Sequence, residues 1–211
     1  MNFRYPIFLD LTRKRCLVTG EGFEIAGKVR GLVDAGGDVV YVHPSIVPEI
    51  RALVDQELIT WHARDFQPQD LDGCFLVITC GSHNAQIFAL AEIRGILCNA
   101  VDDPKHCRYI YGSKVTRGEL SIAISTNGTA PALAVRIKER LQAEIGPEYA
   151  AFLKIMREFR PQITASIKDF HRRRELWYQL VDSEILHLLK AGDPESAHRL
   201  ARQLIEEAVA C

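Results

Sequence analysis

Residues 15–35, RCLVTGEGFEIAGKVRGLVDA, decide the fold, because they predict a strand, a glycine turn and a helix in that order. A short apolar run ends at Thr19, two glycines follow within three residues, and apolar side chains then repeat at helical spacing up to Ala35. A glycine turn between a strand and a helix offers free N–H groups to the phosphates of a dinucleotide. The expected contacts to such a cofactor in this turn are Gly20, Gly22, Phe23 and Glu24.

The turn departs from the usual G-x-G-x-x-G pattern in its last position and in its acidic partner. Ile25 stands in place of the third small residue, and no carboxylate follows the second predicted strand. Because that carboxylate normally binds the adenosine ribose, the residues alone leave NAD and NADP both open. The alternative is a turn that needs glycine only for its backbone conformation. The remaining expected cofactor contacts are His43, Pro44, Ser45 and Thr79.

Strand and helix signals alternate over the first part of the chain, up to Val101. Alternation of this kind indicates βαβ units and a parallel sheet that helices cover on both faces. We predict strands over 15–19, 38–42, 58–62, 74–79 and 96–101, and helices over 25–35, 47–56 and 84–94.

The pattern changes after Pro104. We predict a β-hairpin with strands 109–115 and 120–125, a helix over 132–145, and a helical tail over 148–211 with one stop at 191–194. The fold class is therefore α/β, with a Rossmann-like parallel sheet followed by a small hairpin-plus-helix segment and an all-helical C-terminal tail. The corresponding domains are placed at 1–108, 109–146 and 147–211.

Composition and charge exclude several classes of protein. Hydrophobic residues make up 47% of the chain and charged residues 25%, which is typical of folded domains. The net charge of -1 argues against nucleic-acid binding over a broad surface. The sequence has no long apolar stretch and no signal peptide at its start, so we expect no membrane span and a cytoplasmic location. The six cysteines lack Cys-x-x-Cys spacing and are expected to be reduced thiols.

Two acidic residues follow the last predicted strand of the sheet, in the stretch NAVDDPK at 99–105. In open α/β sheets the carboxyl ends of the strands are where ligands bind. We expect Asp102 to face the ligand and Asp103, which precedes a proline, to serve the turn. Nearby His83, His106 and Cys107 lack the spacing of metal ligands, so no resident metal is predicted.

Four motifs together carry a family resemblance: PIFL at 6–9, Gly20-Glu21-Gly22, NAVDDPK at 99–105 and STNGTAP at 125–131. They occur in the order that is typical of the precorrin-2 dehydrogenase family, which includes the N-terminal part of siroheme synthase and stand-alone relatives. The chain resembles this family over roughly residues 3–145. The last two motifs are specific to it, whereas the glycine turn occurs widely.

The resemblance implies an activity and a set of partners. Family members oxidise precorrin-2 to sirohydrochlorin with NAD, and some also insert Fe²⁺ to make siroheme. The family's catalytic aspartate falls on Asp102. From the residues themselves, His106 is a second candidate for the metal step. The family's cofactor contacts fall on the glycine turn and on Pro44 and Ser45. The family is dimeric, which makes 109–146 a dimerisation segment and implies that the tail also crosses between subunits.

A tetrapyrrole that carries many carboxylates needs local cations and anion-binding turns. The most basic stretch is 168–174, with further cations at Arg136, Lys138 and Arg140. The start of the middle helix offers N–H groups and a hydroxyl to an anion. Solvated helix faces and simple helix capping are the alternatives. The expected substrate contacts are Asn127, Gly128, Thr129, Arg172 and Arg173.

Two other functions stay open from the sequence. The first alternative to a dehydrogenase is a sirohydrochlorin ferrochelatase alone, in which the altered glycine turn no longer binds NAD. The second is a nucleotide-sensing regulatory module of Rossmann type. The long helical tail argues against the module, because it suggests substrate coverage and dimerisation.

Overall fold

The chain divides between Ile110 and Tyr111 into two units, each with a core of its own. The structure is a computed structural model that describes residues 4–22 and 24–210. Of the described helices, none is long and apolar enough to cross a bilayer. The five described cysteines are free thiols, and burial raises the pKa of Cys98 to about 12.

The first unit is built on a five-stranded parallel sheet with strand order β3-β2-β1-β4-β5. From β1 the chain runs outward to β2 and β3, then returns beside β1 and runs the other way to β4 and β5. The strand order therefore reverses between β1 and β4, which is where such sheets open a ligand crevice. The strands are β1 (Arg15–Gly20), β2 (Asp38–Val42), β3 (Ile59–His62), β4 (Leu76–Cys80) and β5 (Leu97–Ala100).

Three helices cover the sheet and bury β1 on both faces. Successive side chains of a strand point to opposite faces, so Cys16 and Val18 pack with Val29 of the first helix, whereas Leu17 packs with Ile87 of the third. Apolar residues therefore follow one another along β1 without alternation. The helices are α1 (Ile25–Asp34), α2 (Pro48–Asp55) and α3 (Asn84–Arg94).

The second unit begins with an antiparallel hairpin and continues entirely in helices. The strands β6 (Ser113–Arg117) and β7 (Leu120–Ile124) are joined by a two-residue turn in which Gly118 adopts a positive φ of 58°. The helices are α4 (Pro131–Glu144), α5 (Glu148–Ser166), α6 (Phe170–Val181), α7 (Ile185–Lys190) and α8 (Pro194–Ala210). The core of the last four helices includes Phe159, Ile163, Leu176, Leu180 and Ile205.

The predicted fold class is confirmed, with differences at the ends of some elements. The hairpin starts at Ser113 and turns at Gly118 and Glu119, whereas the predicted hairpin started at residue 109 with a four-residue turn. The tail breaks twice more than predicted, after Ser166 and after Val181. The first break follows from a helix cap, because the Asp169 carboxylate accepts a hydrogen bond from the Arg172 N–H at 2.8 Å.

Gly20 provides a test of the sheet geometry. It has a φ of 97°, and a Cβ at this position would overlap the carbonyl oxygen of Cys80 and lie 2.7 Å from its carbonyl carbon. We expect Gly20→Ala to lower the free energy of unfolding by more than the ~1–3 kcal/mol that a strained φ costs alone.

The matched control is Gly27→Ala, since Gly27 lies in α1 and a Cβ there meets nothing within 4 Å. This variant is expected to gain about 0.5–1 kcal/mol from helix propensity. Denaturant unfolding of both variants measures the difference, and equal stability of the two would contradict the close approach of β1 and β4.

Candidate active site

A cleft of about 190 Å³ lies at the point where the strand order reverses, at the carboxyl ends of β1, β2 and β4. Gly20, His43, Pro44 and Thr79, four of the predicted cofactor contacts, line it. Further lining residues that the sequence did not single out are Asp65, Phe66, Cys80 and Ser82, and His83, which the sequence analysis weighed only as a metal ligand, lines the cleft as well.

The glycine turn at one wall of the cleft is shaped by close backbone approach. A Cβ on Gly20 would overlap the Cys80 carbonyl oxygen. Gly22 has a φ of 141°, and a Cβ there would lie 3.4 Å from the Cys80 Sγ. The hydroxyl of Tyr41 donates a hydrogen bond to the Gly20 carbonyl at 2.9 Å, which fixes the turn from β2. At the start of α1, Glu24 makes no capping bond with its side chain, so this helix end is open to an anion.

Three other predicted cofactor contacts, Gly22, Glu24 and Ser45, are not among the described lining residues of the cleft. Glu24 forms an ion pair with Lys28 at 3.2 Å, and the Ser45 hydroxyl lies 3.1 Å from Nδ1 of His43. Phe23 lies outside the described residues. The cofactor-binding roles of these residues remain predictions.

Asp65 supplies the cleft with a carboxylate, because no acidic residue stands directly after β2. His43 stands directly after β2, where an acidic residue normally binds a ribose, and Asp65 reaches the same cleft from the loop after β3. No spacing rule in the sequence indicates this residue, because the two loops meet only through the parallel pairing of β2 and β3.

The acidic loop, residues 101–107, leaves the sheet at the end of β5. Asp102 is exposed and has a φ of 59°, a left-handed conformation that Asp tolerates better than most residues. The Val101 N–H donates to the Thr79 carbonyl at 2.8 Å, which ties the start of the loop to β4. Asp102 is therefore presented at the same sheet edge as the cleft.

Cys107 holds the far end of the acidic loop against β5. Its Sγ lies 3.1 Å from the Ala100 carbonyl oxygen and 3.3 Å from that of Asp103, and it accepts a hydrogen bond from the Ala100 N–H at 3.3 Å. Burial raises the pKa of this thiol, so it stays protonated and able to donate. The buried Asn99 amide adds a bond to the Tyr109 carbonyl at 2.9 Å. These bonds fix the backbone that carries Asp102.

The two neighbouring acidic residues have different surroundings. Asp103 Oδ2 lies 2.6 Å from Nδ1 of His106, whose ring packs edge-on against Phe88. Asp103 is thus engaged within its own loop, and Asp102 has no basic partner among the described residues. Over residues 4–22 and 24–210, no three His, Cys, Asp or Glu side chains are grouped closely enough to hold a metal ion.

Cys80 links the acidic loop to the cleft. Its thiol lines the cleft, and its pKa is raised first by burial and next by the negative charge of Asp102. Asp102 therefore lies within electrostatic reach of the cleft wall. This arrangement can hold a cofactor in the cleft with a carboxylate beside it.

The predicted substrate contacts lie in the second unit. Asn127, Gly128 and Thr129 form an exposed turn before α4, and it is the Thr126 hydroxyl that accepts the Ala130 N–H, at 3.3 Å. Arg172 donates to the Ala208 carbonyl at 2.9 Å in the last turn of α8.

Arg173 is bound in a similar way. Its Nη1 donates to the carbonyls of Ile167 and Lys168 at 2.8 and 2.7 Å, where α5 ends. Both arginines thus bind helix ends, and their roles toward a substrate remain predictions.

The strand order and the glycine turn at its reversal define a Rossmann-type nucleotide-binding protein. Comparison with known families agrees with this class. Residues 7–113, half of the chain, match a family model described as "Putative NAD(P)-binding". Residues 117–144 match the model "Sirohaem biosynthesis protein central", and residues 148–205 match the "Sirohaem synthase dimerisation region".

Curated relatives extend the match over nearly the whole chain. It is 35% identical over 203 residues to the siroheme synthase of Zymomonas mobilis subsp. mobilis, covering 94% of this chain and 43% of that protein. It is 33% identical over 195 residues to the siroheme synthase of Photobacterium profundum, covering 91% and 42%. The chain therefore spans less than half the length of these relatives.

Among solved structures, "SirC, precorrin-2 dehydrogenase" has the same fold, with a TM-score of 0.73 at 23% identity, over 97% of this chain and 100% of that one. The chain belongs to the precorrin-2 dehydrogenase family, which includes the N-terminal part of siroheme synthases. The resemblance predicted from the four motifs is confirmed.

The link between Asp102 and the cleft can be tested through the Cys80 thiol. Because the charge of Asp102 contributes to the raised pKa of Cys80, removing it lowers that pKa and increases the thiolate fraction at a given pH. We expect Asp102→Asn to speed alkylation of Cys80 by iodoacetamide a few-fold at pH 8, measured by peptide mass spectrometry. Alkylation of both proteins should accelerate as the pH rises.

The control for this experiment is Asp72→Asn, an exposed residue that does not contribute to the pKa shift of Cys80. It should leave the rate unchanged. The same rate in Asp102→Asn and in the control would show that Asp102 does not act on the cleft.

Proposed function

We propose that this chain catalyses the NAD-dependent oxidation of precorrin-2 to sirohydrochlorin in siroheme biosynthesis. The observation that carries the proposal is Asp102, an exposed carboxylate held in a left-handed conformation beside the cofactor cleft. The names of the similar proteins, siroheme synthase and precorrin-2 dehydrogenase, support the choice of substrate.

The residues of the cleft fit a dinucleotide. The cradle at Gly20 and Gly22 is one that a Cβ would fill, and the start of α1 has no side-chain cap. We place the pyrophosphate at this turn. The Asp65 carboxylate, in the same cleft as His43, favours a free ribose hydroxyl and repels the 2′-phosphate of NADP, which supports NAD.

The oxidation removes a hydride and a proton from the tetrapyrrole. NAD, when bound, supplies the nicotinamide ring that accepts the hydride. The carboxylate of Asp102 accepts the proton, and the bonds from Cys107 hold the acidic loop still while it does so. His83, which lines the cleft near the end of β4, borders the same reaction space.

We predict that Asp102→Asn lowers kcat for precorrin-2 oxidation by at least about 10²-fold, the usual contribution of a general base. Asparagine keeps the shape of the side chain and tolerates the positive φ, so the fold and NAD binding should survive. The assay follows the absorption spectrum of precorrin-2 with NAD, and calorimetry measures NAD affinity. Asp72→Asn, which removes an exposed carboxylate elsewhere in the first unit, should keep the normal rate.

The same assay separates the alternatives. Full activity of Asp102→Asn would remove the aspartate from the mechanism. Iron insertion into sirohydrochlorin without NAD binding would favour a ferrochelatase alone, with Fe²⁺ as substrate. Nucleotide binding without turnover of either kind would favour a nucleotide-sensing module.

We also propose that the protein is a cytoplasmic homodimer. Residues 1–108 would bind NAD, 109–146 would join the subunits, and 147–211 would form a helical domain that crosses to the partner. The match of residues 148–205 to a dimerisation region supports this. On α4, Leu133 and Val135 are 53% and 45% exposed, and an isolated two-stranded sheet such as β6–β7 is only marginally stable.

We expect light scattering to give twice the chain mass for the wild type. Leu133→Glu places a charge at an exposed apolar position of α4 and should shift the protein toward monomer. Gln142→Glu adds the same charge at an exposed polar position of α4 and should stay dimeric. A monomeric wild type would contradict the proposed assembly.

A further inference from the structure

The loop after β3 carries two residues that face the cofactor cleft. Asp65 and Phe66 line the cleft together with His43 and Pro44, which follow β2. The two segments are tied to each other, because the Trp61 Nε1–H donates a hydrogen bond to the His43 carbonyl at 2.9 Å. The loop after β3 is therefore fastened to the strand end that binds the adenosine ribose in dinucleotide-binding folds.

A bidentate ion pair closes this loop, and we call it the Arg64–Asp70 clamp. Nη1 and Nη2 of Arg64 donate to the two carboxylate oxygens of Asp70 at 2.8 and 2.6 Å. The Gln67 N–H donates to the same carboxylate at 2.8 Å, at the start of a short 3-10 turn over Pro68–Leu71. Bidentate pairs of this kind fix the direction of both side chains as well as their distance.

The carboxylate of the clamp is buried and charged. Asp70 is 7% exposed, and the hydrogen bonds from Arg64 hold the pKa of its carboxyl below the usual range. Opening the clamp would leave a buried carboxylate without a counterion, which is strongly unfavourable. The clamp therefore stays closed at neutral pH.

Asp65 lies inside the clamp, between its two members in the sequence. Nη1 of Arg64 also donates to the Asp65 carbonyl at 3.0 Å, and the Arg64 N–H donates to the His62 carbonyl at 2.9 Å. The backbone that carries Asp65 is therefore held by the clamp and by the end of β3. The Asp65 side chain itself is exposed, and over residues 4–22 and 24–210 it forms no ion pair.

The clamp also keeps a cation away from the cleft. In dinucleotide-binding folds, an arginine near the ribose is what accommodates the 2′-phosphate of NADP. Arg64 precedes Asp65 in the chain, but both of its Nη atoms bind Asp70, and it is not among the described residues that line the cleft. The charge that this loop presents to the cleft is therefore the negative charge of Asp65.

We propose that Asp65 selects NAD against NADP and that the Arg64–Asp70 clamp is the positioning pair that makes this selection effective. A carboxylate held in one place can accept hydrogen bonds from the ribose hydroxyls, whereas a 2′-phosphate in the same place meets a like charge. On a loose loop the carboxylate would turn into solvent, where the repulsion is relieved and screened. The inference rests on the proposed function for the presence of a dinucleotide, and it adds the residues that decide which dinucleotide binds.

Calorimetry of NAD and NADP with the full chain, in the absence of tetrapyrrole, tests the selection. The readout is the dissociation constant of NADP divided by that of NAD, because damage to the fold weakens both ligands in proportion. We expect this ratio to exceed one in the wild type and to fall at least about tenfold in Asp65→Asn. The pair 5′-AMP and adenosine 2′,5′-bisphosphate, which differ only in the 2′-phosphate, should give the same change.

Arg64→Lys tests the clamp. Lysine keeps a cation beside the buried Asp70 carboxylate, so the fold should survive, but it lacks the planar fork that binds both oxygens. We expect the ratio to fall about threefold or more. Because the clamp acts through Asp65, the same substitution in an Asp65→Asn protein should change the ratio by less than about twofold.

The matched control is Asp72→Asn, which removes an exposed carboxylate just after the 3-10 turn. Asp72 lies 3.8 Å from Arg94 in a solvent-exposed ion pair and is not among the described lining residues of the cleft. This variant should keep the wild-type ratio within about twofold.

Three results would overturn the proposal. They are equal affinity of the wild type for NAD and NADP, an unchanged ratio in Asp65→Asn, and proportional weakening of both dinucleotides by Arg64→Lys, which is what a purely structural role predicts. Oxidation of precorrin-2 is measured on the same proteins and judged separately. A selective wild type that does not oxidise precorrin-2 would refute the proposed oxidation alone, and an active wild type whose ratio is insensitive to Asp65 would refute the selection alone.

Discussion

The close approach of Gly20 to the Cys80 carbonyl is the constraint on which the site depends. β1 and β4 are neighbours in the sheet, but the chain leaves them in opposite directions, so the crevice opens between their ends. Because Gly20 has no Cβ, the two strands stay paired up to their last residues. That pairing brings Cys80 against the glycine turn, and β5 beside β4 then brings Asp102 to the same edge.

An uncharged side chain, the thiol of Cys107, holds the acidic loop against β5. The Cys107 thiol adds to the backbone hydrogen bonds that the carbonyls of Ala100 and Asp103 already accept within the loop, and it does so without a charge because burial keeps it protonated. A carboxylate or ammonium group at this position would have to be desolvated or paired. A small thiol therefore allows Asp102 to keep a positive φ next to a buried strand.

Helices and strands that a continuous stretch of sequence marks were predicted well, whereas contacts between distant segments were not. The bounds of α3 match the predicted 84–94, because an apolar period and Gly95 mark them locally. Asp65 could not be found, since it reaches the cleft only through the pairing of β2 and β3. The carbonyl partner of Arg172 lies 36 residues away on α8, so a basic run gave no sign that this guanidinium binds a helix end.

The near-neutral net charge conceals a division between the two units. Residues 111–211 carry 15 Lys and Arg against 13 Asp and Glu, whereas the preceding residues carry 11 against 14. The second unit therefore has a net charge of +2 and the first a net charge of -3. In the first unit, Asp102 has no basic partner among the described residues, and an adjacent guanidinium would stabilise its charged form and weaken it as a base.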